Sequence, residues 1–441
     1  MRPNRFYYNK KSLRFKEILW YYITMNFKRL KICFSIFLFI FIVIFLILFL
    51  KTWFITQKIL VKNSNASAPG LLYLKDLQPE NLEREGDGRI NILLLGIPGG
   101  NWEGPELTDT IMVASLDPIS SEVSLLSIPR DLWVPLGNGN WNKINAIYSI
   151  GGSELIKKTV SKILDTPIHY FVLIDFDGFK QVIDLLGGVK IKVEEDIYDP
   201  FFPDGKGGYE LFYLQKGTYL MDGEIALKYV RSRHTSSDFS RAKRQQQLLL
   251  ACKDRLLKLR NLLNPKKLVN ILSILGDHLK TDLTLSEMIQ LFELGKEIDI
   301  TDIQSYVIDS SNFLYDDMIE GMYILRPRDG NFKLLQRFAH HFFQDSFIKN
   351  ENALIALENG TNIVDLARIK ADLESFGYNI IRVSNAEKLY PKTIIYDFTN
   401  GTKPFTLHYL KKRFNAEIRK GTEELNSFVD ILIILGSDIK L

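Results

Sequence analysis

The sequence predicts a layered α/β protein, with a central mixed sheet flanked by helices, preceded by one transmembrane helix and followed by a small α/β C-terminal domain. Three observations predict it. Short apolar runs alternate with helical periodicity from about residue 90 onward, residues 32–50 are uncharged over a lipid-spanning length, and the last ninety residues repeat a strand–turn–helix unit.

Residues 1–31 carry nine basic side chains against the single acid Glu17, and residues 32–50 read ICFSIFLFIFIVIFLILFL. Such a run is long enough to cross a bilayer. Trp53 and Phe54 stand where a cleavable signal would present small residues, so the expectation is an uncleaved anchor over 32–54 behind a cytoplasmic tail at 1–31. Positive charge before the span keeps the N-terminus inside and puts everything beyond Lys51 outside the cell membrane. The chain has 56 Lys plus Arg and 52 Asp plus Glu; without the tail the balance is 47 to 51, which excludes a basic nucleic-acid coat. Two cysteines, Cys33 and Cys252, cannot build a disulfide framework.

Residues 55–88 are polar and turn-rich, as a stalk would be. The main domain follows over 89–345. Strands are expected at 90–96, 109–116 and 123–128, the last two separated by Asp117-Pro118-Ile119-Ser120. Helical spacing at 153–164 precedes a strand at 170–174, a helix at 178–186 stopped by Gly187-Gly188, and a strand at 189–193. The longest helix outside the anchor is expected at 238–263, basic in its first two turns and leucine-rich afterwards. Two further helices and a strand near 305–308 complete the domain. Residues 350–441 read as two βαβ-like halves. Strand 353–357, Asn359-Gly360-Thr361 and helix 363–376 are echoed by strand 393–398, Asn400-Gly401-Thr402 and helix 405–414. Further strands are expected at 379–383, 416–419 and 429–435. The triplets match glycosylation acceptors, yet tight turns with Thr capping the next helix account for them more simply.

No histidine pair stands at metal-ligand spacing and no Gly-x-Ser-x-Gly elbow occurs. The glycine-rich stretch 95–100 lacks the Lys-Ser/Thr ending of a phosphate loop and reads as a flexible loop. The unusual concentration is YVRSRHTSSDFSRAKRQQQ at 229–247. Arg231 and Arg233 have strand or loop spacing and can share one side, while Arg241, Arg244 and Gln245 stand at i, i+3 and i+4 on the first turns of a helix. Crowded guanidinium groups repel unless an anion sits between them, and a helix N-terminus favours phosphate or pyrophosphate. Arg is used where Lys would serve solubility, and Asp238 is the one acid inside the run, which argues against a merely solvated face. Thr108-Asp109-Thr110 opens a strand and Ser127-Ile128-Pro129-Arg130-Asp131 ends the next, placing Asp109 and Arg130 at neighbouring strand ends. An aspartate there can hold Mg2+ on a pyrophosphate or take a proton from an attacking hydroxyl.

In order, LLLG, TDTIMVASLDP, SIPRD, NKINAIYSIGG, FVLIDFDGFKQVIDLLGGVKI, GTYLMDGEIALKYVRSR and RAKRQQQ resemble the catalytic domain of the LytR-CpsA-Psr (LCP) family over about residues 88–290. The last ninety residues resemble the LytR C-terminal domain that often accompanies it. The resemblance implies an LCP-like catalytic domain at 89–345 and a LytR C-terminal-like domain at 350–441. It implies a membrane-anchored extracytoplasmic phosphotransferase that moves a glycopolymer from polyprenyl pyrophosphate onto peptidoglycan or a related envelope glycan; the expected topology outside the membrane argues against a nucleic-acid partner. By position it implies Asp109 and Arg130 as catalytic residues, Mg2+ held at Asp109, and pyrophosphate bound by Arg130, Arg231, Arg233, Arg241 and Gln245. Two positions depart: Pro98 stands where the family commonly has a second metal-contacting Asp, and Leu107 where it commonly has Arg. Glu103 or Glu106 is the candidate replacement carboxylate. The same residues leave open a non-catalytic receptor for lipid-linked glycans and a polyprenyl-pyrophosphate hydrolase.

Overall fold

The structure, a computed structural model, describes residues 79, 85–137, 139–205, 207–232, 238–258, 271–297, 303–361, 365–422 and 428–439. The expected tail and anchor, nearly all of the expected stalk, and Arg233 lie outside the described residues. Among the described residues no helix is long and apolar enough to cross a membrane.

In chain order, β1 (Ile90–Ile97), β2 (Thr110–Leu116) and β3 (Val123–Ser127) precede a short hairpin of β4 (Trp133–Pro135) and β5 (Trp141–Lys143). Helix α1 (Ile147–Leu164), β6 (Tyr170–Asp175), α2 (Phe176–Leu185) and β7 (Val189–Val193) follow. Next come β8 (Ile197–Pro203), β9 (Tyr209–Leu214), β10 (Gly217–Met221), α3 (Gly223–Arg231) and α4 (Asp238–Lys258). Then β11 (Leu279–Thr281), α5 (Leu285–Glu297), β12 (Ile303–Val307), β13 (Leu314–Ile319), β14 (Met322–Pro327) and α6 (Lys333–Phe342) complete the first part. The second part holds α7 (Ser346–Glu351), β15 (Leu354–Asn359), α8 (Leu366–Ser375), β16 (Asn379–Asn385), β17 (Ile394–Asp397), α9 (Pro404–Phe414), β18 (Glu417–Lys420) and β19 (Ile431–Leu435).

The central sheet has six strands in the order β11-β6-β1-β2-β3-β12 and is mixed, as expected. β1 runs parallel to β6 and β3 parallel to β12, whereas β2 is antiparallel to both of its neighbours. Strand periodicity sends successive side chains to opposite faces. Leu93, Leu95, Ile111 and Val113 therefore pack with Ile156 and Val160 of α1. Leu94, Gly96, Thr110 and Met112 face the other way and line a cavity.

β7 does not join this sheet. It pairs antiparallel with β10, and β8 pairs antiparallel with β9, so the segment expected to continue the α/β alternation instead builds two small ribbons over the cavity side. α3 begins where the Asp222 carboxylate accepts from Ile225 N at 2.9 Å. Gly223 lets α3 approach α2: a Cβ there would stand 2.4 Å from the Lys180 carbonyl oxygen. Arg231 is the last residue of α3, which corrects the expected strand or loop spacing. The apolar positions Ala226, Leu227 and Val230 are buried at helical intervals and pull this segment into a helix.

The C-terminal sheet has the order β16-β15-β19-β17-β18, with β19 parallel to β15 and antiparallel to β17. Threonine does not cap its helices. The Asp365 carboxylate accepts from Ala367 N and Arg368 N to start α8, and Pro404 starts α9. The two sheets meet across one apolar cluster that joins Ile90, Leu116 and Phe347 to Ile355, Tyr378 and Tyr409.

Asp345, 2% exposed, stands within that junction. Its Oδ2 accepts from Gly86 N and from the Tyr409 hydroxyl, each at 3.0 Å, and its Oδ1 from Phe347 N at 2.8 Å. Burial raises its carboxyl above the ordinary value, opposed by these three donors. Asp345→Ala should cost about 3–5 kcal/mol, because three buried donors lose their acceptor at once. Urea unfolding of the full chain checks this; an unchanged midpoint would remove Asp345 from the set of residues that hold the junction.

Candidate functional site

α4 positions the site through its periodicity. Arg241, Gln245, Leu248, Leu249 and Cys252 recur at i, i+4, i+7, i+8 and i+11, one helical face, and all five line a cavity of about 690 Å3. At 1.5 Å per residue, about 16 Å of helix axis separates the guanidinium end from Cys252. The cavity floor is the open face of the central sheet, including Met112, Val172 and Ile174, and α2 adds Phe179 and Val182. Burial pushes the Cys252 thiol up to about 12, so it is a neutral wall group at physiological pH.

At the polar end, the antiparallel pairing of β2 with β3 brings the start of one strand beside the end of the other. Arg130 Nη1 stands 2.6 Å from Asp109 Oδ1, with side chains 24% and 28% exposed. Asn145 fastens both flanks: its carbonyl accepts from Thr108 N at 3.0 Å, and its own N donates to Arg130 O at 3.2 Å. Gln245 Nε2 donates to Thr110 Oγ1 at 2.9 Å. Gln246 Nε2 donates to Ser127 Oγ and Tyr306 O, each at 3.0 Å. The first turns of α4 are thereby tied to β2, β3 and β12, which holds the buried Arg241 over the strand ends.

Arg231 reaches the cavity from the end of α3. Its guanidinium carbon lies 4.4 Å from the Trp102 ring centroid, 4.3 Å from that of Phe176 and 5.1 Å from that of Phe202. Ring faces hold a planar cation in place at the cavity wall. Trp102 follows the glycine-rich stretch, which is a packed turn rather than a flexible loop. Gly99 adopts φ +69°, where a Cβ would come within 2.6 Å of the Asp175 side chain, and its N donates to Pro105 O at 2.9 Å.

The other expected residues separate. Arg244 belongs to the scaffold: its Nε donates to Tyr229 O at 2.9 Å and its Nη2 to Ser232 O, capping the C-terminal end of α3. Burial lowers its pKa from the ordinary value. Glu103 lines the large cavity and Glu106 is exposed. Asp175 and His278 were missed in the sequence. Asp175 caps α2 through Gly178 N at 2.8 Å, lines the cavity, and stands 2.8 Å from His278 Nδ1. Their separation of about a hundred residues hides the pair, although Asp before Phe-Asp-Gly is a legible cap.

A second cavity, of about 370 Å3, adjoins the first. Asp109, Thr110, Arg241 and Gln245 line both, and Arg130, Asp309, Ser310 and Tyr323 face the second alone. The two spaces thus share a polar wall.

The Mg2+ expectation falls on Asp109, with Glu103, Asp175 and Asp199 lining the same cavity. Pro98 offers no ligand, the Arg130 guanidinium is already on Asp109, and the described residues hold no group of three or more His, Cys, Asp or Glu placed to share an ion. A divalent cation at Asp109 would therefore need oxygens from a bound phosphate to complete its coordination.

Residues 60–337 match the LytR_cpsA_psr family. The polyisoprenyl-teichoic acid–peptidoglycan teichoic acid transferase TagT of Bacillus subtilis (strain 168) is 34% identical over 212 residues, covering 47% of this chain and 64% of TagT. Regulatory protein MsrR of Staphylococcus aureus (strain COL) is 32% identical over 238 residues, covering 53% of this chain and 68% of MsrR. The crystal structure of B. subtilis TagV aligns at a TM-score of 0.47 and 28% identity, covering 59% of this chain and 98% of that one. The chain therefore spans less than two thirds of the length of TagT. With more than half of its own residues matched, from before β1 to within α6, the protein belongs to the LytR_cpsA_psr family.

Proposed function

We propose that the protein is a phosphotransferase that moves a glycopolymer from a polyprenyl-pyrophosphate donor onto peptidoglycan or a related envelope glycan, outside the membrane and anchored by residues 32–54. The observation that carries this reading is the single face of α4 on which Arg241 and Gln245 give way to Leu248, Leu249 and Cys252 along one cavity. A ligand that fits is anionic at one end and apolar for more than a dozen ångströms beyond. The polyisoprenyl-linked substrate in the name of TagT has that form, and shared family membership supports extending it here.

In this reading the apolar cavity takes the prenyl tail, and the pyrophosphate lies at the wall that both cavities share. An acceptor hydroxyl approaches through the second cavity and its oxygen bonds to the sugar-side phosphorus. The bond from that phosphorus to the bridging oxygen breaks, its electron pair leaves with the lipid phosphate, and the hydroxyl proton passes to Asp109 or to the departing phosphate. Arg130, Arg231 and Arg241, with Arg233 expected beside them, stabilise the charge on the transferring and leaving groups, the main requirement of phosphoryl transfer. Gln245 orients the phosphate from α4. Asp109 fixes Arg130 at 2.6 Å.

Arg231→Ala should weaken binding of a short-chain polyprenyl pyrophosphate about tenfold, since a charge-assisted bond contributes on the order of 1.5–3 kcal/mol. Arg244→Ala should instead lower stability by about 1–3 kcal/mol, because the carbonyls of Tyr229 and Ser232 at the end of α3 lose their donor. Calorimetric titration and urea unfolding of each full-length variant separate the two arginines; the reverse pattern would exchange their roles.

Cys252→Phe fills the far end of the cavity. Affinity for a long-chain polyprenyl pyrophosphate should fall about tenfold, the scale of an overpacked methylene or two, while a short-chain analogue binds as before. Equal loss for both chain lengths would place the tail elsewhere.

The transfer itself is tested by supplying a lipid-pyrophosphate glycan and a peptidoglycan acceptor, and following both products. Asp109→Asn should slow transfer by roughly 10²-fold with a much smaller change in donor affinity. Equal turnover in the two proteins would remove Asp109 from the chemistry, glycan release without an acceptor would favour hydrolysis, and an inactive parent that still binds donor would favour a receptor.

A further inference from the structure

A strand pair with one face in water normally alternates apolar with polar residues. The β8–β9 hairpin does not. Its inner positions Ile197, Phe202 and Phe212 are buried in a cluster with Val193 and Tyr229, as a core requires. Its outer positions carry Tyr198, Phe201, Tyr209, Leu211 and Tyr213, which are 50, 59, 70, 59 and 48% exposed. With Pro203, these are the exposed residues of the two strands; the half-exposed Glu210, at an alternate position, is paired with Lys228 at 2.7 Å. An outward face made for water would carry Lys, Thr or Glu there.

This apolar face continues into the large cavity, because Phe201 and Pro203 line it. The hairpin turn also reaches the anion end: a Cβ on Gly205 would stand 2.6 Å from Trp102, the ring over which Arg231 lies. The hairpin is therefore a rim joining the apolar cavity to the arginine that faces it. We infer that the outer face of β8–β9 docks on the lipid bilayer and gives the prenyl tail an apolar path between membrane and cavity. This rests on the reading of the cavity as a prenyl-tail site.

The bilayer is favoured over a glycan by ring geometry. Tyr198 and Tyr213 meet at 69° with centroids 6.2 Å apart, and Phe201 and Tyr209 meet at 90° and 6.1 Å. Edge-on pairs give no flat platform for a sugar ring, and Leu211 adds aliphatic surface that a glycan does not use. Tyrosines with an apolar body and a polar tip suit the headgroup boundary, and a prenyl lipid already resides in that phase.

The test uses the full chain reconstituted in vesicles of phosphatidylethanolamine and phosphatidylglycerol. An environment-sensitive fluorophore is placed on Leu211→Cys in a Cys33→Ser, Cys252→Ala background, with Leu389→Cys as the exposed control. Lipids spin-labelled high on the acyl chain should quench the Leu211 position at least about threefold more than a water-soluble quencher does, and the control should show the opposite order. In the second arm, the triple variant Tyr209→Ser, Leu211→Ser, Tyr213→Ser should take up a membrane-embedded long-chain polyprenyl pyrophosphate about tenfold more slowly. Its binding of a water-soluble short-chain analogue should be unchanged. An unquenched Leu211 label, protection of that label by a soluble glycan alone, or protection only as protein concentration rises would each overturn the inference, the last two in favour of a glycan or a second copy of this chain. A parent that binds neither chain length would sink the prenyl-tail reading itself, while the quenching arm still decides whether the hairpin meets lipid.

Discussion

The attachment of the first turns of α4 to the ends of three strands is the constraint on which the site depends. Gln245 holds Thr110 and Gln246 holds Ser127 and Tyr306, so the helix start is fixed against β2, β3 and β12 at once. An arginine on the same turns has no freedom to drift to solvent. Arg241 is buried for that reason, and the apolar residues two and three turns later are carried over the open face of the sheet. One helix thereby aligns a cationic head with an apolar channel, and the channel's floor follows from the strand period of β1, β2 and β6.

Three arginines of one short segment meet three different fates, and the difference lies in what each touches. Arg231 is held on ring faces at the cavity wall; Arg244 spends its donors on the carbonyls at the end of α3; Arg241 lines the wall between two cavities. Arg130 differs again, since Asp109 takes part of its charge at 2.6 Å. That pair makes the shared wall less positive than a count of arginines suggests.

The sequence made the chemistry more legible than the architecture around it. The strand ends bearing Asp109 and Arg130 could be read because LLLG, TDT and SIPRD carry both strand periodicity and turn punctuation. The spacing of Arg241 and Gln245 placed them on one face of a helix for the same reason. Spacing could not distinguish Arg241 from Arg244, three residues apart, because which one meets a carbonyl depends on where α3 ends. Nor could it put Arg231 on a helix, since YVRSR alternates like a strand and the helical signal lies upstream in Gly223–Val230. The β8–β9 hairpin escaped because apolar residues occupy both of its faces, which erases the alternation that reveals a strand. His278 pairs with Asp175 across a distance that no local pattern encodes.

The absence of alternation in β8–β9 has the same physical origin as the cavity beside it. A sheet face left uncovered by side chains, as the α2 side of the central sheet is, must be sealed by something apolar, and here the seal is a hairpin whose inner face completes a core. Its outer face would then normally return to polar residues. It does not, and the apolar surface is continuous from Leu211 and Tyr209 through Phe201 to Met112 at the cavity floor. Continuity of that kind matters for a hydrophobic ligand more than cavity volume does. A closed apolar chamber binds a prenyl chain only after the chain has crossed water, whereas a chamber whose wall extends to a lipid surface exchanges it without that barrier. On the proposed reading the arginines would fix the head, the sheet face would accommodate the tail, and the hairpin would determine the route between them.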